Sequence, residues 1–141
     1  MKQKYSREDD DENPELQSDH LNDRPGEPNQ QLFDRFNRLM MEQEIYHDPA
    51  LSLHQVALQM DVNRSYLLQA VNRCTGVSFS TFINEFRVKE AVRMMSDPKL
   101  QNYSIEGIAL DTGFNDRSTF YRVFKKTTGF SPTTFRNNLA V

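Results

Sequence analysis

Four cationic side chains lie on one short stretch near the end of the chain, GFNDRSTFYRVFKKTTGFSP at residues 113–132, and they are Arg117, Arg122, Lys125 and Lys126. Cations at this density bind anions such as phosphate, and an arginine can also donate two parallel hydrogen bonds to one planar acceptor. The same stretch has Phe120, Val123 and Phe124 at helical spacing. It therefore predicts a short helix with one buried face and one basic face.

The charge of the whole chain hides this basic end. The net charge is −3, but residues 1–30 contain 4 Lys/Arg against 9 Asp/Glu, whereas residues 31–141 contain 13 against 11. The first segment thus carries −5 and the second +2. Residues 112–141 have five basic side chains against Asp116 alone, a net +4. This asymmetry indicates an anionic partner for the C-terminal end, although charge runs are more often solvated faces.

The composition and the residue spacing give little support for an enzyme or a membrane protein. The single cysteine, Cys74, excludes an intrachain disulfide and favours a reducing, cytoplasmic setting. No apolar run approaches the roughly 18–20 residues of a membrane span, and the N-terminus lacks the apolar centre of a signal peptide. His20, His47 and His54 lack metal-ligand spacing, and no glycine loop for phosphate occurs. We therefore predict no catalysis, no metal and no cofactor.

The chain divides at about residue 30. Residues 1–30 combine acidic, Asn, Gln and Pro residues with few apolar ones, so we predict a disordered acidic tail or linker. A plain linker is favoured, and competition with an anionic ligand for the basic end is the alternative. From residue 31 onwards apolar side chains recur at helical spacing, which predicts one folded region over residues 31–141.

Helix starts in that region are marked by side chains that cap helix N-termini. These candidate caps are Ser52, Asn63, Ser78, Ser104, Asp116 (or Asn115) and Ser131. Gly76 and Gly129 are placed as left-handed stops. Counting the helix that begins near residue 31, we predict about seven helices and no strand, which is an all-α fold.

The sequence also repeats itself. QVALQMDVNRSYLLQAVNRCTGVSFSTF matches GIALDTGFNDRSTFYRVFKKTTGFSPTTF, at an offset of 52 residues in the first helix of each copy and 53 in the second. A turn absorbs one added residue, whereas a helix face would rotate by about 100°. Each copy is therefore predicted as helix, short turn, helix, at about residues 52–76 and 104–129, with a long linker helix at about 78–96.

Two short helices with a tight turn, the second of them polar and basic, are typical of a helix-turn-helix that presents its second helix to a DNA major groove. The 19 residues of the predicted linker helix span roughly 28 Å. A rod of that length can set two such units about one helical turn of DNA apart, roughly 34 Å. A helical repeat that binds proteins without DNA is the alternative that stays open.

Specific motifs support the DNA reading. The stretches IALDTGFNDRSTFYRVFKKTTGFSPTTFR and LSLHQVALQMDVNRSYLLQAVNRCTGVSFSTFINEFRVKEAVRMM resemble the DNA-binding domain of AraC/XylS-type transcription regulators, over about residues 51–136. The resemblance implies a homeodomain-like fold with two helix-turn-helix subdomains. Asp61 stands where the family usually has glycine, and a left-handed turn at an aspartate is tolerated at some cost. Tyr121 stands where a small residue is common.

The resemblance and the helical faces together imply the residues that contact DNA: Arg64, Ser65, Leu68, Gln69, Asn72, Arg73, Arg117, Ser118, Tyr121, Arg122, Lys125 and Lys126. Gln69 is suited to an adenine edge, Leu68 to a thymine methyl and Arg122 to guanine. Arg73, Lys125 and Lys126 are expected at phosphates. Core packing is the alternative for Leu68, and a helix-start hydrogen bond is the alternative for Ser118. The core should include Phe120, Val123, Phe124, Phe130 and Phe135.

The implied function is sequence-specific DNA binding in transcription control, with two recognition helices in adjacent major grooves. The implied partners are double-stranded promoter or operator DNA and RNA polymerase. No ligand-sensing domain is recognisable, so we expect this chain to be the output part of a larger regulator whose sensor, membrane-bound or not, lies outside it.

Overall fold

The computed structural model of the chain describes residues 28–139. Most of the predicted acidic tail, residues 1–27, lies outside the described residues. The first helix begins at Asn29, two positions before the expected start of the folded region. Its left-handed C-terminal cap is Glu44, with φ 51°.

Seven α-helices occur within the described range, and no strand does, so the prediction of an all-α fold is confirmed. Their bounds are α1 Asn29–Gln43, α2 Leu53–Met60, α3 Arg64–Thr75, α4 Phe79–Met95, α5 Ile105–Asp111, α6 Arg117–Thr128 and α7 Pro132–Leu139. Two short 3-10 segments, Ile45–His47 and Pro98–Leu100, lie between them. In this part of the chain no helix combines the length and the apolar character that crossing a membrane requires.

The described residues form two compact units. The first unit comprises the described chain up to Ile45 together with Ala50–Phe82, and it contains α1, α2 and α3. The second unit comprises Tyr46–Pro49 and the chain from Ile83 onwards, and it contains α5, α6 and α7. Helix α4 begins in the first unit and continues as part of the second. Each unit therefore holds one copy of the internal repeat.

The first unit is built on the packing of α1 against α3, with α2 beside α3. Its apolar stripes meet in a core whose fully buried side chains include Phe36, Met40, Leu53, Val56, Leu67 and Val71. The rings of Phe33 and Phe36 lie 5.5 and 5.6 Å from that of Phe82, centroid to centroid. Helix α1 thus completes a core that the two short helices of the repeat would leave open.

The second unit buries a separate apolar cluster, formed by Val88, Ala91, Met95, Ile108, Ala109, Phe114, Phe120, Val123 and Phe124. Phe135 packs against it from α7, as predicted. Phe130 does not, since 47% of it is exposed, which corrects the expectation that it is core. Gly129 ends α6 at φ 89°, so Phe130 lies beyond the helix whose apolar face is buried.

The turns between the paired helices share one backbone hydrogen bond, although the second turn is longer. The amide of Val62 donates to the carbonyl of Ala57 at 3.0 Å, and that of Phe114 donates to Ala109 at 3.0 Å, one repeat later. Asp61 adopts the left-handed conformation at φ 59°, which confirms the expectation for this departure from the family pattern. Its counterpart is Gly113, at φ 102°.

A buried arginine fixes the segment Tyr46–Pro49 within the second unit. Arg87 Nε donates to the carbonyl of Tyr46 and Nη2 to that of Asp48, each at 2.9 Å. Burial lowers the pKa of Arg87 to about 10, an effect that the charge of Asp48 partly offsets. A β-carbon on Gly113 would collide with the same Tyr46 carbonyl and with Arg87 Nε. The turn of the second unit therefore requires glycine for space as well as for conformation.

Candidate nucleic-acid interface

Helix α3 is the second helix of the first repeat, and its start is set by a side-chain cap. Asn63 Oδ1 accepts from the amide of Ser65 at 2.8 Å and from the Ser65 hydroxyl at 2.6 Å. The helix ends at Gly76, with φ 79°. The caps predicted from the sequence at both ends are confirmed, and they hold the N-terminal turn of α3 in one conformation.

The outer face of α3 is polar. Gln69, Asn72 and Arg73 are exposed, while Leu67 and Val71 on the opposite face are fully buried. Arg64 is half-buried, and its Nε has no hydrogen-bond partner among the described residues. Two amides and two cations are thus available on this face, without an acidic residue anywhere in the helix.

Two residues expected on that face are buried instead. Leu68 is 4% exposed, so contact with a thymine methyl is corrected to core packing, the alternative that the sequence left open. Ser65 is 7% exposed, and its hydroxyl is used by the Asn63 cap. Helix α3 packs against both α1 and α2, and its buried face is wider than the stripe of Leu67 and Val71.

Helix α6 is the second helix of the second repeat. Asp116 accepts from the amide of Thr119 at 2.8 Å, and Gly129 ends the helix in the left-handed conformation. Phe120, Val123 and Phe124 are buried, which confirms the predicted apolar face. The other face exposes Ser118, Arg122, Lys125 and Lys126. The helix has four cations and no acidic residue, so its outer face is the more strongly positive of the two.

The cations of α6 differ in how firmly they are held. The Arg117 guanidinium lies 4.8 Å from the ring centroid of Tyr121, and its Nη2 donates to the Tyr121 hydroxyl at 3.3 Å. Arg117 Nε is also 3.5 Å from Glu106 Oε2, which comes from α5. The hydrogen bond to Tyr121 and the electrostatic interaction with it, followed by the charge of Glu106, raise the pKa of Arg117. In contrast, Arg122, Lys125 and Lys126 have no ion pair within residues 28–139.

Sequence reasoning did not find Glu106. This carboxylate lies in the first turn of α5, eleven residues before Arg117, and it reaches Arg117 only because the turn folds α5 against α6. In the sequence, Glu106 indicates only an acidic residue that stabilises the N-terminus of a short helix. The i, i+4 spacing of Arg117 and Tyr121, by contrast, is visible in the sequence.

Comparison with known proteins agrees with this architecture. The profile of a family described as helix-turn-helix domain matches residues 49–138. The Msm operon regulatory protein of Streptococcus mutans is 31% identical over 90 residues, which are 64% of this chain and 31% of that protein. The Melibiose operon regulatory protein of Escherichia coli K12 is also 31% identical over 90 residues, 64% of this chain and 29% of that protein.

A solved structure extends the agreement to three dimensions. The C-terminal domain of AraT, a response regulator from Geobacillus stearothermophilus, aligns with a TM-score of 0.66 and 25% identity, over 76% of this chain and 84% of that one. With two capped helix-turn-helix units and the matching profile, the chain belongs to the helix-turn-helix family of AraC type. It is a DNA-binding domain of the transcription-regulator class. It spans about three tenths of the length of the curated relatives named above.

Proposed function

We propose that this chain recognises a specific double-stranded DNA sequence with α3 and α6, each in a major groove, and thereby controls transcription. One observation carries the proposal. Both helices begin at a side-chain cap, end at a left-handed glycine, and expose a polar face free of acidic residues opposite a buried apolar face. A capped helix with such a face matches the element that enters the groove in helix-turn-helix proteins.

On α6, charge and exposure suggest a division of roles. Arg122 is exposed in the middle of the helix, where it is suited to donate two hydrogen bonds to guanine O6 and N7. Lys125 and Lys126 lie in the last turn and are suited to phosphates, which position the protein without reading sequence. Ser118 is exposed in the first turn and has an available hydroxyl. Guanine selection with backbone clamping is thus the proposed role of α6.

On α3, amides take the place of most of the positive charge. Gln69 and Asn72 are exposed, and either is suited to a bidentate contact with adenine. Arg73 in the last turn and Arg64 in the first are suited to phosphates or a guanine edge.

The linker helix supports the expectation of two adjacent grooves. Helix α4 has 17 residues, two fewer than expected from the sequence, and a helix of that length rises about 26 Å. Ser78, just before it, accepts from the amide of Thr81 at 3.1 Å. A continuous helix is suited to keep two readers at the roughly 34 Å spacing of successive grooves, and we propose that α4 does so.

The wider setting is also a proposal. We propose that residues 31–141 act as the output domain of a longer regulator, with residues 1–30 as its linker, a sensor supplied elsewhere, and RNA polymerase as a partner at promoters. The short coverage of the curated relatives supports this view. We propose a cytoplasmic setting for this DNA-binding domain.

A protein-interaction module is the second candidate, and one observation favours it. Leu58 is 67% exposed and Leu110 is 63% exposed, and the two occupy corresponding positions of the repeat. An exposed leucine at the same place on both first helices can contact a protein partner.

Binding measurements separate these candidates. A target is first selected from a random duplex library, and affinity for it is then compared with that for a scrambled duplex between about 50 and 200 mM salt. DNA recognition predicts a steep loss with salt and a preference for the selected duplex, because phosphate contacts release counterions. Equal, weak and salt-independent binding of both duplexes would favour the protein-interaction module.

A further inference from the structure

Arg117 is held by its surroundings in a way that the other α6 cations are not. Its guanidinium lies over the Tyr121 ring, donates to the Tyr121 hydroxyl, and faces Glu106. The side chain is nevertheless 65% exposed, and that of Glu106 is 54% exposed. The group is therefore accessible to a ligand while its direction is restricted.

The platform beneath Arg117 is itself fixed. Tyr121 is half-buried and packs against the apolar cluster of the second unit, with its ring 6.0 Å from that of Phe120. Its hydroxyl is 3.5 Å from Thr133 Oγ1 of α7. A ring held at both its edge and its hydroxyl loses little freedom when a ligand arrives. The arginine laid on it is accordingly pre-organised, which lowers the entropy that binding must remove.

The place of Glu106 needs an explanation, since a carboxylate near a DNA-binding face repels phosphates. An acidic side chain there weakens binding to every sequence equally if it acts only through its charge. Glu106 Oε2, however, lies 3.5 Å from Arg117 Nε, and a paired carboxylate lowers the attraction of that one guanidinium for phosphates.

Given the proposed function, we infer that Arg117, Tyr121 and Glu106 form a preset reader of a base edge, in which Arg117 contacts the base, Tyr121 is its platform and Glu106 is a positioning residue that keeps it off the phosphates. The target class is a base with a planar pair of acceptors, as in guanine O6 and N7.

The decisive variant is Glu106→Gln, because the two roles of the carboxylate predict different results. As a positioning residue, its loss tightens binding to the scrambled duplex without a matching gain for the selected duplex, and the affinity ratio falls about two- to fivefold. The salt slope on the scrambled duplex also steepens by up to about one unit. Equal tightening for both duplexes would overturn the inference and leave Glu106 a plain surface charge.

Tyr121→Phe provides the companion variant, since it keeps the ring and removes the hydroxyl that bonds Arg117. A fall in the affinity ratio of about two- to fivefold is expected with an unchanged melting temperature. Glu90→Gln is the matched control. It removes another carboxylate paired with an arginine, Arg93, that is also 65% exposed, but on α4. A ratio change in this control as large as in Glu106→Gln would contradict a specific role.

A measurement on the protein without DNA tests the arrangement around Arg117 independently of the proposed DNA binding. Side-chain ¹⁵N NMR relaxation of the arginine Nε–H groups should give a higher order parameter for Arg117 than for Arg122. The difference should shrink in Glu106→Gln and in Tyr121→Phe. Equal order parameters in the wild-type protein would overturn the preset reader even if sequence-specific binding stands, whereas a clear difference without any sequence preference would overturn only the proposed function.

Discussion

The two helix-turn-helix units share one architecture but distribute their chemistry differently. Helix α6 exposes four cations, whereas α3 has two arginines and the exposed amides Gln69 and Asn72. The turn before α3 contains Asp61 in the left-handed conformation, and the turn before α6 contains Gly113. Under the proposed function, α6 would supply more of the attraction to DNA and α3 would contact adenine edges. The first unit also has the less favourable residue in its turn.

The largest expected effect is a loss of stability from a substitution in the turn of the second unit. Gly113→Ala should lower the free energy of unfolding by about 2–5 kcal/mol, because it adds left-handed strain to a collision with the Tyr46 carbonyl. Chemical denaturation measures it. Gly129→Ala is the matched control, since its φ of 89° brings similar strain but a β-carbon there meets nothing within 4 Å. Equal losses in both variants would show that the contact with Tyr46 contributes nothing.

Base-reading residues on the two helices give the next effect. Arg122→Ala and Gln69→Ala should each weaken binding to the selected duplex by about 1–3 kcal/mol. The first should relax preference at a guanine position and the second at an adenine position. Selection repeated with each variant measures this. If both variants relaxed the same base pairs, the proposed division between α3 and α6 would be wrong.

Phosphate contacts should differ between the helices in their salt dependence. Lys125→Ala is expected to weaken all duplexes similarly and to lower the salt slope by about one unit. Arg73→Ala, in the corresponding last turn of α3, tests whether that unit also clamps the backbone. Affinity titrations over a series of salt concentrations report both slopes. An unchanged slope in Lys125→Ala would remove this lysine from the set of phosphate contacts.

The smallest expected effect is a gain in stability, from a substitution in the turn of the first unit. Asp61→Gly should stabilise the protein by about 0.5–1 kcal/mol, because glycine adopts the left-handed conformation without the steric cost that a β-carbon brings. Thermal and chemical unfolding measure the gain, with DNA affinity expected to stay the same. A loss of stability would mean that the Asp61 side chain makes a favourable contribution that outweighs its backbone strain.

Much of the fold follows from local sequence signals. Ser52, Asn63, Ser104 and Asp116 cap the helices that they were expected to cap, because each cap depends only on the next three residues. The left-handed turn at Asp61 was likewise expected, from the family resemblance.

The failures of prediction concern contacts between elements. Leu68 was placed on the outer face because the sequence of α3 alone does not show how much of the helix its neighbours bury. Phe130 was assigned to the core as an aromatic residue, but it follows the glycine that ends α6 and is 47% exposed. Glu106 was missed since only the folded turn brings it to Arg117. The capped helices were thus predictable, whereas the width of a buried face and the partners of a site residue required the structure.

Two readers in consecutive grooves are the central claim, and the spacing of the DNA tests it most directly. Half-turn insertions of about 5 bp between the two halves of the selected site rotate one half to the far side of the duplex, while insertions of about 10 bp restore the face but double the spacing. A rigid pair of readers predicts that both insertions reduce affinity to that of a single half-site. Binding that is indifferent to the inserted length would contradict the account.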